Sequence, residues 1–185
     1  MKQAVGYRFW RPDDGWLVSP FCPTVWPQQT RLEALCRDEL ANFLQERRSN
    51  AHRREPTTPP PVASCRCGIY AYHDVASMLG PLHPPLIGGA VLCWGRITIH
   101  PEGIRAQFAR PIALCLPEPW QNAQQAEPDL TQLAAGYGIP LLESRYLVSY
   151  AGEFGESYGP ANAPSMGDTR FGPTVRKFLK RLIDV

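Results

Sequence analysis

The fold of this chain is decided by residues 91–116, which read VLCWGRITIH, then PEG, then IRAQFARPIALCL. From Val91 to His100 the residues alternate between two faces, and most of those on the face of Val91 are apolar, a spacing typical of a β-strand. Residues 101–103 combine proline and glycine and predict a turn, after which residues 104–116 supply a second strand. The stretch therefore predicts a long β-hairpin. Glycines at 88, 89 and 95 predict bulges or bends in it.

Shorter elements are predicted before this hairpin. Residues 5–10 and 15–18 are aromatic-rich and flank the turn residues 11–15, so we expect an opening hairpin. Residues 19–28 contain three prolines and predict an extended segment laid over a core. Residues 68–72 have strand composition, and Asp74 is a suitable cap for a short helix that ends at Gly80.

Helices are predicted from capping signals and apolar spacing. Thr30-Arg31-Leu32-Glu33 fits a capping box, which predicts a helix that runs to about Arg48. A second helix is predicted from Asp129 to Gly136, followed by a strand over 141–150. Pro173 opens an amphipathic helix over 173–184.

The predicted fold class is α+β, with a β-rich central antiparallel sheet or partly open barrel, a few short helices and the amphipathic C-terminal helix. Residues 1–185 suffice for a single domain and are short for two cores. Within it, 49–62 is predicted to be a proline-rich exposed connector and 152–172 a flexible loop.

Composition narrows the class of function. A net charge of +2 makes neither nucleic acid nor an anionic membrane the default partner. The longest apolar run, 86–94, is too short to span a membrane, and the N-terminus lacks an apolar stretch of signal-peptide length. We therefore expect a cytoplasmic protein without a membrane partner. Six cysteines in such a protein favour metal binding or burial over disulfides.

The strongest chemical motif is Cys65-Arg66-Cys67-Gly68. Two thiolates at this spacing bind one Zn²⁺ where the chain turns sharply, and Gly68 permits such a turn. The spacing is tighter than the usual C-x-x-C. Cys93 and Cys115 lie in the hairpin among apolar residues, so we expect both to be core residues.

Several fragments together resemble a family of small uncharacterised bacterial proteins common in actinobacteria, for which no activity is known. The fragments are Gly6-Tyr7-Arg8-x-Trp10, Ser19-Pro20, Trp26, Cys65-x-Cys67-Gly68-Ile69-Tyr70-Ala71, Trp94-Gly95-Arg96-Ile97, Gly103-x-Arg105-Ala106 and Tyr137-Gly138-Ile139-Pro140.

The resemblance implies that an upstream cysteine and a histidine accompany the C-x-C pair. The equivalents here are Cys36 and His52, which would complete a structural Cys₃His zinc site with Cys65 and Cys67. This chain departs from the pattern by placing a long helical and basic stretch between them. The simpler alternative is that Cys36 fills the apolar stripe of its helix and that His52 is solvated. An iron–sulfur cluster is a further alternative.

The leading prediction for function is a non-enzymatic, zinc-stabilised module that binds another protein. On general grounds rather than from any residue, we expect an accessory or inhibitory protein of a mobile element. One alternative is a nucleic-acid-binding protein that uses two basic clusters. These clusters are Arg47, Arg48, Arg53 and Arg54, and Arg176, Lys177, Lys180 and Arg181. The other alternative is a cysteine-dependent enzyme, although His73, His83 and His100 sit in no recognisable catalytic setting.

Overall fold

The computed structural model describes residues 3–22, 24–35, 59–61, 67–80, 85–116 and 130–159. In chain order its elements are β1 (Ala4–Asp13), β2 (Trp16–Val18), β3 (Leu32–Glu33), β4 (Ile69–Tyr72), α1 (Val75–Leu79), β5 (Ile87–His100), β6 (Gly103–Leu116), α2 (Leu130–Tyr137), β7 (Leu141–Glu143), α3 (Ser144–Gly152) and β8 (Glu156–Ser157). Over these ranges the strands form one mixed sheet and the helices are short. The predicted β-rich α+β class is confirmed.

The predicted long hairpin is the centre of the sheet. β5 and β6 pair antiparallel from Gly88↔Cys115 to His100↔Gly103. The register shifts after Ala90 and again after Trp94, where Gly95 has a φ of 80°. A positive φ favours glycine because it has no Cβ, so the predicted bulge at Gly95 is confirmed.

The predicted opening hairpin is also present, with a tighter turn than the sequence indicated. Arg11 pairs with Val18 and Asp13 with Trp16, which leaves only Asp14 and Gly15 in the turn. Both have positive φ values, 45° and 77°, as expected for a two-residue turn that matches the twist of the strands.

Four strands pair in a closed circuit. β1 pairs with β5 from Ala4↔Cys93 to Trp10↔Ile87, β5 with β6, and β6 with β4. The circuit returns to β1 through the pair Tyr7↔Tyr72. The sheet is therefore curled in the way that the glycine-rich strands predict.

The sheet separates two hydrophobic cores. The first gathers side chains from all four strands of the circuit and from α2, including Trp10, Val91 and Leu133. The second lies on the other side of β1 and β5 and includes Phe9, with Met78 of α1 and Leu147 of α3 packed over it. Alternate residues of β1 thus enter different cores, because successive side chains of a strand point to opposite faces.

Two predicted elements are wrong. The helix predicted from Thr30 does not begin there, because Leu32 and Glu33 pair with Ala109 and Phe108 of β6. Pairing with an available sheet edge prevails over a local capping signal, since it satisfies the backbone groups directly. The remainder of that helix, 36–48, lies outside the described residues.

The strand predicted over 141–150 ends at Glu143 and is replaced by α3. Leu147 and Ala151 are buried four residues apart while Tyr146 and Val148 are exposed, which is helical spacing. The helix predicted to end at Gly136 continues to Tyr137, and Gly138 follows with a φ of 65°.

Other predictions are met in part. The short helix at 75–79 is capped as predicted by Asp74, whose carboxylate accepts a 2.7 Å bond from the Ser77 N–H. In the connector, Pro60 and Pro61 are buried rather than exposed. In the predicted loop, Glu156 and Ser157 form a strand parallel to β1. Residues 160–172 and the helix predicted over 173–184 lie outside the described residues.

Within the described ranges, no helix is long and apolar enough to cross a membrane.

Candidate functional site

The structure describes one of the four predicted zinc ligands. Cys67 is half-buried and immediately precedes Gly68, whose φ of 137° confirms an unusual backbone turn at that point. Cys36, His52 and Cys65 lie outside the described residues. In the part of the chain that the structure describes, no three metal-binding side chains cluster. The zinc site therefore stays a prediction.

The two predicted basic clusters also lie outside the described residues. They are Arg47, Arg48, Arg53 and Arg54, and Arg176, Lys177, Lys180 and Arg181.

The hairpin cysteines are core residues, as predicted. Cys93 lies in the first core and Cys115 in the second, and both are fully buried. Burial raises the pKa of each thiol to about 12. Such thiols are not nucleophiles at neutral pH. Cys22, in contrast, is exposed, and its Sγ lies 3.1 Å from the Thr24 Oγ1.

Two of the three histidines that the sequence analysis considered lie together at the end of the central hairpin. The His73 ring bonds to the main-chain carbonyl of His100. The Arg105 Nε donates to the His100 Nε2 over 2.8 Å, and the Arg105 guanidinium lies 5.9 Å from the centre of the Tyr70 ring. These bonds connect the turn of the central hairpin to β4 and to His73, which follows it. The two histidines therefore have a structural role. His83 lies outside the described residues.

The least expected polar group is Arg8. It lies two residues before Trp10 in β1, so both side chains are on the face of the strand that borders the first core. Its Nη1 donates to the Tyr70 carbonyl over 2.9 Å, and its Nη2 donates to the Ser19 hydroxyl over 3.2 Å. The same hydroxyl accepts a 2.9 Å bond from the Trp26 indole N–H. We call Arg8, Trp10, Ser19 and Trp26 the arginine cluster.

Aromatic rings partly enclose the Arg8 guanidinium. Its central carbon lies 4.5 Å from the centre of the Trp26 ring and 5.7 Å from that of Trp10, within the range of cation–π attraction. The two rings meet edge to face at 88°. Desolvation lowers the pKa of Arg8 to about 10, so the group remains a cation at neutral pH.

Within the described residues, two N–H groups of the arginine cluster have no hydrogen-bond partner. They are the Arg8 Nε and the Trp10 Nε1, both of which are buried. No role was predicted for Arg8, although it belongs to the fragment Gly6-Tyr7-Arg8-x-Trp10. One feature of the sequence indicates an unusual environment for Arg8. It is a charged residue in a predicted strand, and its neighbours Tyr7, Phe9 and Trp10 are all aromatic.

An exposed apolar surface lies on the first hairpin and on the segment that follows it. Trp16, Phe21 and Val25 are exposed by 42%, 43% and 51%. Val18 lies between Trp16 and Val25, being two residues from the first and bridged to the second. Phe21 packs edge-on against Phe9, with ring centres 5.7 Å apart. We call Trp16, Phe21 and Val25 the hairpin patch.

The hairpin patch is held by buried neighbours. Leu17, between Trp16 and Val18, is fully buried in the first core and donates its N–H to the Tyr137 hydroxyl. Trp16 is therefore displayed on a fixed strand, to which Val25 is bridged through Val18.

The chain was compared with known proteins by sequence and by structure. Comparisons with family models, with curated proteins and with solved structures gave no match.

Proposed function

We propose that this chain is a non-enzymatic protein-interaction module whose hairpin patch binds another protein. The observation that carries the proposal is the exposure of Trp16, Phe21 and Val25 beside Leu17 and Trp26, which are fully buried. Large apolar side chains gathered on a surface mark binding sites, and aromatic residues are enriched at the centres of protein interfaces. Because the strand beneath is fixed, little ordering would oppose binding.

Zinc is the second part of the proposal, and it has a structural rationale at Cys67. This residue lies two positions before β4, whose Ile69 and Ala71 belong to the first core. A metal bound by Cys36, His52, Cys65 and Cys67 would tie the proline-rich connector to β4. Metal binding would then contribute to the free energy of folding.

The alternatives have less support. The two buried hairpin thiols have raised pKa values, which does not suit a nucleophile. The basic clusters of the nucleic-acid hypothesis lie outside the described residues. The proposal places the module in the cytoplasm, because the thiols of Cys22, Cys93 and Cys115 form no disulfide, which suits a reducing compartment.

Binding through the patch is tested with a double variant, Trp16→Glu with Val25→Glu. The full chain is used to capture proteins from a lysate of the source organism, and each identified partner is purified for calorimetric titration. We expect the double variant to weaken binding by at least about tenfold, which corresponds to about 1.4 kcal/mol.

A matched control carries Tyr146→Glu with Val148→Glu on α3, where exposure is similar at 52% and 54%. This control should bind like wild type. The patch assignment is wrong if the hairpin variant retains full affinity, and the proposed function fails if no purified partner binds the wild-type chain.

The zinc is tested by elemental mass spectrometry on protein purified without a metal-affinity tag. We expect one zinc per chain in the wild type, and its loss together with thermal stability in Cys36→Ser, His52→Ala, Cys65→Ser and Cys67→Ser. Cys22→Ser is the matched control and should keep the metal. Wild-type protein without metal would remove zinc from the proposal and leave the patch to be tested on its own.

A further inference from the structure

A basic and aromatic surface lies where β3, β5 and β6 pair, on the face of the sheet opposite the first core. Each of its residues adjoins, in the sequence, a residue that belongs to the first core or packs against it. These neighbours are Leu32, Cys93, Ile97 and Ala109. Successive side chains of an extended chain point to opposite faces, so the residues of the surface share the other face. They are Arg31, Trp94, Arg96, Phe108 and Arg110, which we call the outer-face cluster.

Three flat groups of the outer-face cluster form a row across the sheet. Trp94 of β5 pairs with Phe108 of β6, and their ring centres lie 6.0 Å apart with the planes inclined by 31°. The Arg31 guanidinium lies 4.4 Å from the centre of the Phe108 ring on its side toward β3. The row therefore runs from an arginine through a phenylalanine to a tryptophan.

The outer-face cluster is also positively charged. Its three arginines are exposed, and its two aromatic residues are half-buried. In the part of the chain that the structure describes, the ion pairs join Arg11 to Asp13 and Arg145 to Glu143, so none involves these three arginines. Glu33, which pairs with Phe108, adds one negative charge to the same face. A net positive charge remains, and it is complementary to an anionic partner.

We propose that the outer-face cluster binds a single-stranded nucleic acid. The exposed arginines supply charge and N–H donors to the phosphates, which are features common to DNA and RNA. Aromatic rings and arginine planes are the surfaces on which unpaired bases stack, whereas the bases of a duplex already stack on one another. An acidic polypeptide would use the charges alone and would gain nothing from the row of flat groups.

This surface is separate from the hairpin patch and from the two predicted basic clusters. Trp94 follows Cys93, which pairs with Ala4 at the start of β1, whereas the first hairpin turns after Asp13 at the end of β1. β1 has 10 residues, so the two surfaces lie roughly 30 Å apart along the strand. Loss of one binding function therefore leaves the other measurable.

The test measures binding of labelled homopolymers of about 12 nucleotides, a length within the range of single-strand sites. Fluorescence anisotropy compares oligothymidylate and oligouridylate with a duplex of the same length over a series of salt concentrations. We expect the full-length chain to bind both single strands at least about tenfold more tightly than the duplex. Affinity should fall as salt rises, because phosphate contacts release counterions.

Two substitutions separate the phosphate contacts from the stacking. Arg96→Gln with Arg110→Gln removes two phosphate contacts and should reduce the slope of log affinity against log salt by about 1.4 in magnitude. Arg11→Gln with Arg145→Gln is the matched control, since it removes the same charge from exposed arginines elsewhere and should leave the slope unchanged. Trp94→Leu should weaken binding by about tenfold at an unchanged slope. The arginine variants carry the test alone if the leucine variant does not fold.

Five results would overturn the proposal. The first three are absence of binding by the wild-type chain, a slope unchanged in the Arg96→Gln, Arg110→Gln variant, and an equal loss in that variant and its control. The fourth is a duplex bound as tightly as a single strand, which would leave only attraction between charges. The fifth is displacement of the labelled strand by polyglutamate as effectively as by the unlabelled strand, which would indicate a site for acidic polypeptides.

Discussion

At Tyr137 a single hydroxyl joins α2 to the first hairpin and to the segment that follows it. It accepts a 2.9 Å bond from the Leu17 N–H and donates a 2.7 Å bond to the Trp26 carbonyl. Burial raises the pKa of the Tyr137 hydroxyl, which therefore keeps its proton and its ability to donate. Because Trp26 also contributes to the arginine cluster, the Tyr137 side chain supports both the first hairpin and the arginine cluster.

We predict that Tyr137→Phe lowers the free energy of unfolding by about 1–3 kcal/mol, because it leaves a buried N–H and a buried carbonyl without this partner. The measurement is chemical denaturation at neutral pH. Tyr158→Phe is the matched control: its hydroxyl bonds to the exposed Glu156 carboxylate, so its loss should change stability by less than about 0.5 kcal/mol. Equal effects in the two variants would show that the buried hydroxyl has no special role.

Among the elements, the approach of β1 to β4 closes the circuit of strands. A Cβ added at Gly6 would lie 2.6 Å from the Ala71 Cβ and 3.2 Å from the Tyr72 carbonyl oxygen. Both Gly6 and Ala71 belong to the fragments that carry the family resemblance. Their small size is explained by the contact between these two strands, where no larger side chain fits without moving the backbone.

We predict that Gly6→Ala lowers the free energy of unfolding by about 1–3 kcal/mol through overpacking. Adding Ala71→Gly should recover part of this loss, because it removes the nearer of the two obstructing atoms. Gly152→Ala is the control, since its Cβ would meet nothing within 4 Å. Chemical denaturation of the four variants and wild type measures the coupling. Additive effects of the two substitutions would contradict a direct contact between β1 and β4.

For the molecule as a whole, the sheet carries one buried thiol in each core, Cys93 in the first and Cys115 in the second. Burial raises the pKa of both to about 12, from an ordinary value of 9.0. Between these values the unfolded chain has lost protons that the folded chain still binds. Stability must therefore fall as pH rises above about 9.

We predict a loss of about 1.4 kcal/mol per buried thiol between pH 8 and pH 10. Urea denaturation under reducing conditions measures it. The range stops at pH 10 because the pKa of Arg8 is lowered to about 10. Above that pH, loss of the Arg8 proton in the folded state makes stability rise with pH, which opposes the effect of the thiols. Cys93→Ala and Cys115→Ala should each remove a similar share of the pH dependence if both cores unfold together. A pH dependence unchanged by either substitution would contradict burial of the ionising thiols.

Local patterns determined several elements of this protein. The alternation over 91–100, the turn residues 11–15 and the Asp74 cap each predicted an element that is present. These signals succeed because they depend on neighbours along the chain. The same local reasoning predicted the buried cysteines, since both lie in the apolar pattern of the hairpin. Local spacing also predicted Cys65 and Cys67 as zinc ligands, of which the structure describes Cys67, whereas Cys36 and His52 were implied by the family resemblance.

Tertiary structure decided the rest. Residues 32–33 form a strand because the edge of β6 was available to them. Residues 144–152 form a helix because Leu147 and Ala151 then both pack in the second core. The arginine cluster required three parts of the chain to meet around Arg8, namely β1, β4 and the segment that follows β2. Arg8 and Tyr70, which bond to each other there, are 62 residues apart in the sequence. A strand pattern specifies which face a side chain occupies, whereas its partners depend on contacts between distant residues. The sequence therefore determined the two hairpins and the Asp74 cap, and only the fold determined which charges and donors were brought together.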